Sequence, residues 1–197
     1  MTGATGLERI RAYLAETAQT AERTAEACAA DIARAAELLV NALLDGGKVL
    51  LCGNGGSAAD SQHLAAEFVS ALTRDRVRPA IPAIALTTDT SILTAIANDF
   101  GFEGVFARQV EALGRPGDVL VGISTSGGSP DVIRAVEAAR DQGLRTIALT
   151  GRGGGPLAEV ADVAIRVPSE VTSHIQECHI AIGQLLAFMA EEALYPR

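Results

Sequence analysis

Five short apolar runs, separated by stretches with helical periodicity, constrain the fold of this chain more than any other feature. Each run is between four and seven residues long, as buried strands usually are, and a polar or glycine-rich turn follows it. Strands that alternate with helices form a parallel sheet with helices on both faces. The sequence therefore predicts an α/β fold, an αβα sandwich around a five-stranded parallel sheet, with strands at Val49–Cys52, Ala80–Leu86, Val119–Ile123, Thr146–Leu149 and Val163–Val167.

Helical stretches precede, separate and follow these runs. Those after the first run are predicted at Ser57–Thr73, Thr90–Ala97, Phe102–Leu113, Pro130–Gln142, Leu157–Val160 and Thr172–Ala193. Before the first run, Leu7–Leu44 is rich in Ala, contains no Pro and repeats apolar residues at helical spacing. We predict one or two amphipathic helices there. The chain then divides into an N-terminal helical arm for packing between subunits (residues 1–46) and a main domain (residues 47–197).

The composition disfavours several classes of function. Lys and Arg total 16 against 24 Asp and Glu, and the net charge of −8 makes a nucleic-acid partner unlikely. No apolar run approaches the ~18 residues of a membrane-spanning helix. Glu8 and Arg9 interrupt any signal-peptide core near the start. No CxxC pair is present among the three cysteines, Cys28, Cys52 and Cys178, which is typical of a reducing compartment. We therefore expect a cytoplasmic protein, and the lack of a long apolar run predicts no membrane partner.

Glycine-rich loops follow three of the predicted strands, at residues 52–57, 124–130 and 151–156. Ligands of an open parallel sheet bind beyond the carboxyl ends of its strands, where these loops lie. The second loop reads STSGGSP and carries four hydroxyls ahead of a helix start, whose free N–H groups suit a phosphate. The alternative is an ordinary helix cap on a tight turn. The first two loops match no nucleotide-binding motif, so no nucleotide is implied.

Two predicted helices carry polar side chains that one site can share. His63 and Glu67 are four residues apart, so both lie on one helix face, within reach of one metal ion or one substrate. Gln176 and Gln184 are eight residues apart on the last helix, at about 80° around its axis. The alternatives are a surface hydrogen bond for the first pair and a half-exposed polar face for the second.

Four segments of the chain, in this order, resemble the sugar-isomerase (SIS) domain family. They are CGNGGSAADSQHLAAEF (residues 52–68), LTTDTSILTAIANDFGFE (86–103), GDVLVGISTSGGSPDVIRA (117–135) and IQECH (175–179). The resemblance covers nearly the whole chain and is closest to the branch of the family that isomerises a seven-carbon ketose phosphate. It implies a flavodoxin-like αβα sandwich, a homotetramer, and active sites formed between subunits.

The resemblance also implies a set of residues that contact the phosphorylated sugar. The hydroxyl-bearing members form the phosphate cradle, in agreement with the chemistry of their loop, and one Asn-Asp pair contributes near a subunit boundary. The members are Asn54, Gly55, Gly56, Glu67, Asn98, Asp99, Ser124, Thr125, Ser126, Ser129 and Gln176.

A second implied set holds one zinc ion in each subunit. His63, Glu67 and Gln176 match three of the four family ligands, and Glu67 also matches the catalytic base. The fourth ligand, which is also the acid–base partner, is a His in the family and Gln184 here. A Gln can bind a metal through its oxygen but cannot titrate. By its position in the family pattern, we assign Gln184 to the fourth metal position and to the second catalytic position.

This substitution leaves the second titratable group open between water on the metal, His179 and His174. A further departure is Ala71, where the family commonly has an Arg. The resemblance implies an aldose–ketose isomerase that converts sedoheptulose 7-phosphate to D-glycero-D-manno-heptose 7-phosphate. The alternatives are an isomerase of another sugar phosphate, and a non-catalytic SIS protein that binds a sugar phosphate or associates with a replication initiator.

Overall fold

The computed structural model describes residues 3–73 and 77–196, with side chains from residue 5 onward. The strands are β1 (Val49–Gly53), β2 (Ala83–Ala85), β3 (Val119–Ser124), β4 (Arg145–Gly151) and β5 (Val163–Val167). The helices are α1 (Gly3–Leu44), α2 (Gly56–Val69), α3 (Thr90–Phe100), α4 (Ala107–Leu113), α5 (Pro130–Asp141), α6 (Gly155–Val160) and α7 (Thr172–Leu194). A 3-10 turn at Phe102–Gly104 lies between α3 and α4.

All five strands are parallel, and their order across the sheet is β2-β1-β3-β4-β5. The register pairs Val49 with Val119 and Gly53 with Ile123, so β1 and β3 end side by side. The chain leaves β1 toward β2 and then returns across β1 to β3. Such a reversal opens a crevice at the carboxyl ends of the two strands. The predicted sandwich is confirmed, and the β1–β3 crevice is the place where a ligand is expected.

Each face of the sheet supports its own apolar core because side chains alternate along the strands. Leu51 and Val121 face the side covered by α1, α2 and α7. Leu50 and Leu120 face the other side, covered by α4, α5 and α6. All four side chains are buried. The two cores hold α2 and α5, which both begin at the β1–β3 crevice, firmly against the sheet.

The long helix α1 is continuous, but its two halves have different surroundings. In the C-terminal half, Ile32 and Leu39 are buried in the core that α1 shares with α7. In the N-terminal half, Leu7, Ile10 and Leu14 are 57–61% exposed and form an apolar stripe at helical spacing. The division of the chain after residue 46 stays a prediction. No described helix combines the length and the apolar character that spanning a bilayer would require.

One predicted strand and one predicted helix, both between residues 80 and 113, are shorter or more broken than expected. The strand predicted at Ala80–Leu86 is β2 alone, because Pro79 and Pro82 lack the N–H group that a strand donates to its neighbour. The helix predicted at Phe102–Leu113 is instead the 3-10 turn followed by α4. The turn contains Gly104, whose low helix propensity favours an interruption there.

Candidate active site

The serine loop (residues 124–129) joins β3 to α5 at the β1–β3 crevice. Its hydroxyls face one another, since Ser124 Oγ lies 2.9 Å from Ser129 Oγ and 3.4 Å from Ser126 Oγ. Ser129 directly precedes α5, but its side chain makes no capping hydrogen bond. The hydroxyls are therefore gathered beside the helix start instead of capping it, and together with the free N–H groups there they can surround an anion.

A second loop supports the serine loop. The Gly151 N–H donates to the Thr125 carbonyl oxygen, and the Leu157 N–H donates to the Gly127 carbonyl oxygen, both at 3.0 Å. A Cβ at Gly127 would lie 1.9 Å from the carbonyl oxygen of Gly154, so this contact requires glycine. The third glycine-rich stretch of the sequence thus fixes the position of the serine loop.

The loop after β1 is tied to the start of α5. Asn54 Nδ2 donates to the two carboxylate oxygens of Asp131, at 3.0 and 2.8 Å. Gly55 adopts φ +56° and turns the chain into α2, with nothing within 4 Å of where a Cβ would stand. At Gly56 a Cβ would lie only 2.3 Å from Gln176 Oε1. The backbone at Gly55 is open to a ligand, whereas Gly56 packs against α7.

Helices α2 and α7 bring together three more of the predicted site residues. His63 Nε2 lies 2.9 Å from Glu67 Oε1 and 3.2 Å from Gln184 Nε2. The side chain of His63 is 50% exposed and that of Glu67 is 15% exposed, so a ligand can reach both. His63, Glu67 and Gln184 are called the helix-pair cluster below.

Gln176 lies beside the helix-pair cluster and bonds elsewhere. Its Nε2 donates to Asp60 Oδ2 at 2.7 Å, and its side chain packs on Gly56. Burial raises the pKa of the Asp60 carboxyl, against the Gln176 hydrogen bond and the nearby His63 imidazole, which lower it. Asp60 was not predicted from the sequence, although its position three residues before His63 places both on the same face of α2.

The donors of the helix-pair cluster fit a divalent metal ion held by few strong ligands. Zinc commonly takes the imidazole and carboxylate that His63 and Glu67 supply, whereas the amide oxygens of Gln184 and Gln176 are not among its usual ligands. Across residues 3–73 and 77–196, no group of three or more His, Cys, Asp and Glu side chains is placed to hold a metal. With these residues, a third protein ligand would come from an amide oxygen, such as that of Gln184 or Gln176.

The two remaining histidines are buried and already bonded. His179 Nε2 bonds to the Thr150 carbonyl oxygen at 3.0 Å, and burial lowers the pKa of His179 to about 4. His174, on α7, packs against α1, with its Nδ1 at 3.1 Å from both Thr17 Oγ1 and Glu177 Oε2. Neither imidazole is accessible to a substrate, so neither suits the second acid–base role that the sequence left open.

Asn98 and Asp99 lie at the C-terminal end of α3, a helix that buries none of its residues. Both side chains are exposed, and Asn98 Nδ2 donates to Asp99 Oδ1 at 2.7 Å. No hydrogen bond in the described part of the chain links this pair to the serine loop or the helix-pair cluster. A single chain therefore does not join these two predicted residues to the rest of the site.

Arg78 fixes the end of α2. Its guanidinium donates to the carbonyl oxygens of Glu67 and Phe68 at 2.8 and 2.9 Å and pairs with Glu191 at 2.6 Å. Both charged side chains are only 2% exposed. These bonds end α2 four residues earlier than predicted. The side chain of Arg78 is buried in these contacts, so it does not serve as the cation expected at the position of Ala71.

Known proteins share this fold and about half of this sequence. The SIS domain family matches residues 12–151. The phosphoheptose isomerase of Akkermansia muciniphila is 56% identical over 167 residues, 85% of this chain and 87% of the relative. That of Rhodospirillum rubrum is 53% identical over 187 residues, with coverage of 95% and 98%. The solved phosphoheptose isomerase of Neisseria gonorrhoeae superposes with a TM-score of 0.88 at 46% identity, covering 94% of this chain and 98% of that one.

Proposed function

The chain belongs to the phosphoheptose isomerases of the SIS domain family, and we propose that it is an aldose–ketose isomerase that converts sedoheptulose 7-phosphate to D-glycero-D-manno-heptose 7-phosphate. The arrangement of the site supports this function in addition to the family likeness. The gathered hydroxyls of the serine loop lie at the β1–β3 crevice, and Asn54 ties the start of α5 to the loop that begins α2. The same helix α2 carries an accessible carboxylate at Glu67.

The serine loop anchors the phosphate of the substrate in this proposal. Ser124, Ser126 and Ser129 donate their hydroxyl protons to phosphate oxygens, and Thr125 contributes its backbone and hydroxyl. The free N–H groups at the start of α5 add the partial positive charge of the helix. Asn54 and Gly55 then contact the sugar hydroxyls nearer to α2.

Glu67 acts as the base that moves a proton between two carbons. It takes a proton from C1 of the open-chain ketose, and the C1–C2 bond becomes the double bond of an enediol. The oxygen on C2 takes up a proton as the enediol forms. When the carbon-bound proton is returned at C2, the hydroxyl on C1 gives up its proton and becomes the carbonyl of the aldose, and water carries the proton between the two oxygens. His63 orients the carboxylate through its contact with Glu67 Oε1 at 2.9 Å. Gln184 cannot move a proton, so its part here is to hold His63 and offer an amide oxygen.

One zinc ion per subunit completes the proposed site, held by His63, Glu67 and Gln184, with Gln176 near. When bound, it would polarise the oxygens on C1 and C2 of the substrate and so favour enediol formation. The fit of the donors supports this assignment, since His63 and Glu67 are ordinary zinc ligands and Gln184 contacts His63.

A homotetramer with active sites between subunits is also part of the proposal. The exposed stripe of Leu7, Ile10 and Leu14 on α1 favours burial against another subunit, and α3 presents Asn98 and Asp99 outward. Light scattering should give a mass about four times the 20.3 kDa of the chain. A monomer mass would contradict the shared-site arrangement.

The test of function is direct incubation of the purified protein with sedoheptulose 7-phosphate, following aldose formation with added zinc and with a chelator. Turnover of this sugar supports the proposal. Turnover only of another sugar phosphate would keep the chemistry and change the substrate. Tight binding of the sugar phosphate without turnover under either condition would favour the non-catalytic alternative.

A further inference from the structure

A buried carboxylate lies between the two loops that form the proposed substrate site. Asp131 is in the first turn of α5, directly behind the serine loop, and is 3% exposed. Its two oxygens both accept from Asn54 Nδ2, at 3.0 and 2.8 Å. A negative charge this close to a phosphate site opposes phosphate binding. We therefore expect the Asp131 carboxylate to contribute to the site in another way.

The contact fixes how the Asn54 amide is presented. An Asn side chain carries two donor hydrogens on nitrogen and two acceptor lone pairs on oxygen, and the two ends have nearly the same shape. Because Asp131 accepts from Nδ2 at both of its oxygens, the nitrogen end is held toward α5. Asn54 Oδ1 has no hydrogen-bond partner among the described residues, which leaves it available as an acceptor.

We infer that Asp131 is a positioning residue that orients Asn54 so that its amide oxygen accepts a hydrogen bond from a sugar hydroxyl. The inference rests on the proposed sugar-phosphate isomerase function. It assigns the site a preference for a hydroxyl donor next to Gly55. The same bond ties the loop after β1 to α5 and so sets the span between the sugar and phosphate contacts.

A double-mutant cycle tests whether Asp131 acts through Asn54. The variants are Asp131→Ala, Asn54→Ala and both together, with Asp141→Ala as a matched control at the exposed far end of α5. Affinity for sedoheptulose 7-phosphate and for inorganic phosphate is measured by calorimetry, and kcat and KM by turnover. Asp131→Asn, which keeps one acceptor oxygen, is the second variant if Asp131→Ala does not fold.

Each single change should weaken sugar-phosphate binding about tenfold, the size of one lost hydrogen bond in a buried site, with a rise in KM and little change in kcat. The double variant should be no weaker than Asn54→Ala, because Asp131 has no further role once the amide is gone. Affinity for inorganic phosphate should hold or rise, because the serine loop keeps its donors and loses a nearby negative charge.

Other outcomes overturn the inference. Additive losses in the double variant would show that Asp131 acts independently of Asn54. An equal loss of inorganic phosphate would show that Asp131 merely supports the serine loop. A parent that neither binds nor isomerises the sugar phosphate would refute the proposed function and the inference together, whereas an active parent with additive losses would refute the inference alone.

Discussion

The serine loop and the helix-pair cluster differ in how the chain builds them. The loop consists of consecutive residues at a helix start, with hydroxyls that meet across 2.9 and 3.4 Å and a second loop behind them. The cluster joins side chains that are 121 residues apart on α2 and α7. A site made of neighbours keeps its geometry as long as its own loop folds. A site made of side chains from two helices depends on how the helices pack. Each of these side chains can be replaced by another residue without changing the others.

The same difference bears on the two departures that the resemblance to the family implies. All hydroxyls of the serine loop are present, whereas Gln184 and Ala71, the positions of the implied departures, lie on α7 and just after the end of α2. We therefore expect phosphate binding to be the more robust property of this fold, and proton and metal chemistry to be the more adjustable one. Single substitutions can separate these two properties.

The largest effect is expected at Glu67 in the helix-pair cluster. Glu67→Gln keeps size and hydrogen bonding but removes the proton acceptor, so kcat should fall about 10²–10⁴-fold, as for loss of a general base. Affinity for the sugar phosphate should survive in part, because the serine loop is untouched. Steady-state kinetics and calorimetry measure the two quantities.

The matched control is Glu137→Gln on the exposed face of α5, which should leave both quantities unchanged. An active parent with undiminished turnover in Glu67→Gln would refute the mechanism while leaving the fold intact. A Glu67→Gln variant that loses phosphate binding as well would mean that the two regions are not separable.

The second effect concerns the packing that holds the helix-pair cluster. Arg78→Met removes a cation that pairs with the buried carboxylate of Glu191 at 2.6 Å and frees two carbonyl groups at the end of α2. Removing one partner of a buried ion pair usually costs about 3–5 kcal/mol of unfolding free energy. Urea unfolding at a fixed protein concentration measures this loss.

Two further variants sharpen this measurement. Arg34→Met removes an exposed Arg that pairs with Asp31 at 3.4 Å, and its cost should be below about 1 kcal/mol. Replacing both partners, with Arg78→Met and Glu191→Leu together, should recover much of the stability because the buried carboxylate is removed together with the cation that pairs with it. A double variant less stable than Arg78→Met alone would contradict this account.

The third effect is expected in the serine loop. Ser124→Ala and Ser126→Ala each remove a hydroxyl donor to a charged group, which should weaken sugar-phosphate binding by about 1–3 kcal/mol. The unphosphorylated sugar should bind parent and variants equally poorly. If both variants bound the phosphorylated sugar as tightly as the parent, the assignment of the phosphate to this loop would be wrong.

How far the sequence predicts each region follows from the same comparison. The strands that are rich in Val, Leu and Ile and covered on both faces, such as β1 and β3, were predicted within one residue of their bounds. The hydroxyl-rich loop was predicted as a phosphate cradle because its chemistry is written in consecutive residues. The ends of α2 and β2 were not predicted well, since Arg78 and the two prolines act there through tertiary contacts or missing donors.

The helix-pair cluster was predictable only in part. Spacing on α2 placed His63 and Glu67 on one face, but nothing in the spacing shows that Gln176 turns to Asp60 while Gln184 contacts His63. Asp60 and Asp131 were missed because a carboxylate in a helix is usually a solvated side chain. Only the packing of neighbouring elements shows that these two hold other site residues in place.

The smallest expected effect tests whether the helix-pair cluster is the adjustable region. Gln184→His supplies a second imidazole beside His63, a better zinc ligand than an amide, and should tighten zinc about tenfold. Competition with a chromogenic chelator measures this affinity without turnover. Since an imidazole must lose its proton to bind the ion, zinc affinity in Gln184→His should fall more steeply below about pH 6.5 than in the parent.

Gln184→Leu, which removes the amide oxygen, should lower the zinc affinity instead. If neither change at residue 184 alters zinc affinity, the ion does not bind between α2 and α7, and the metal part of the proposal fails while the phosphate part stands.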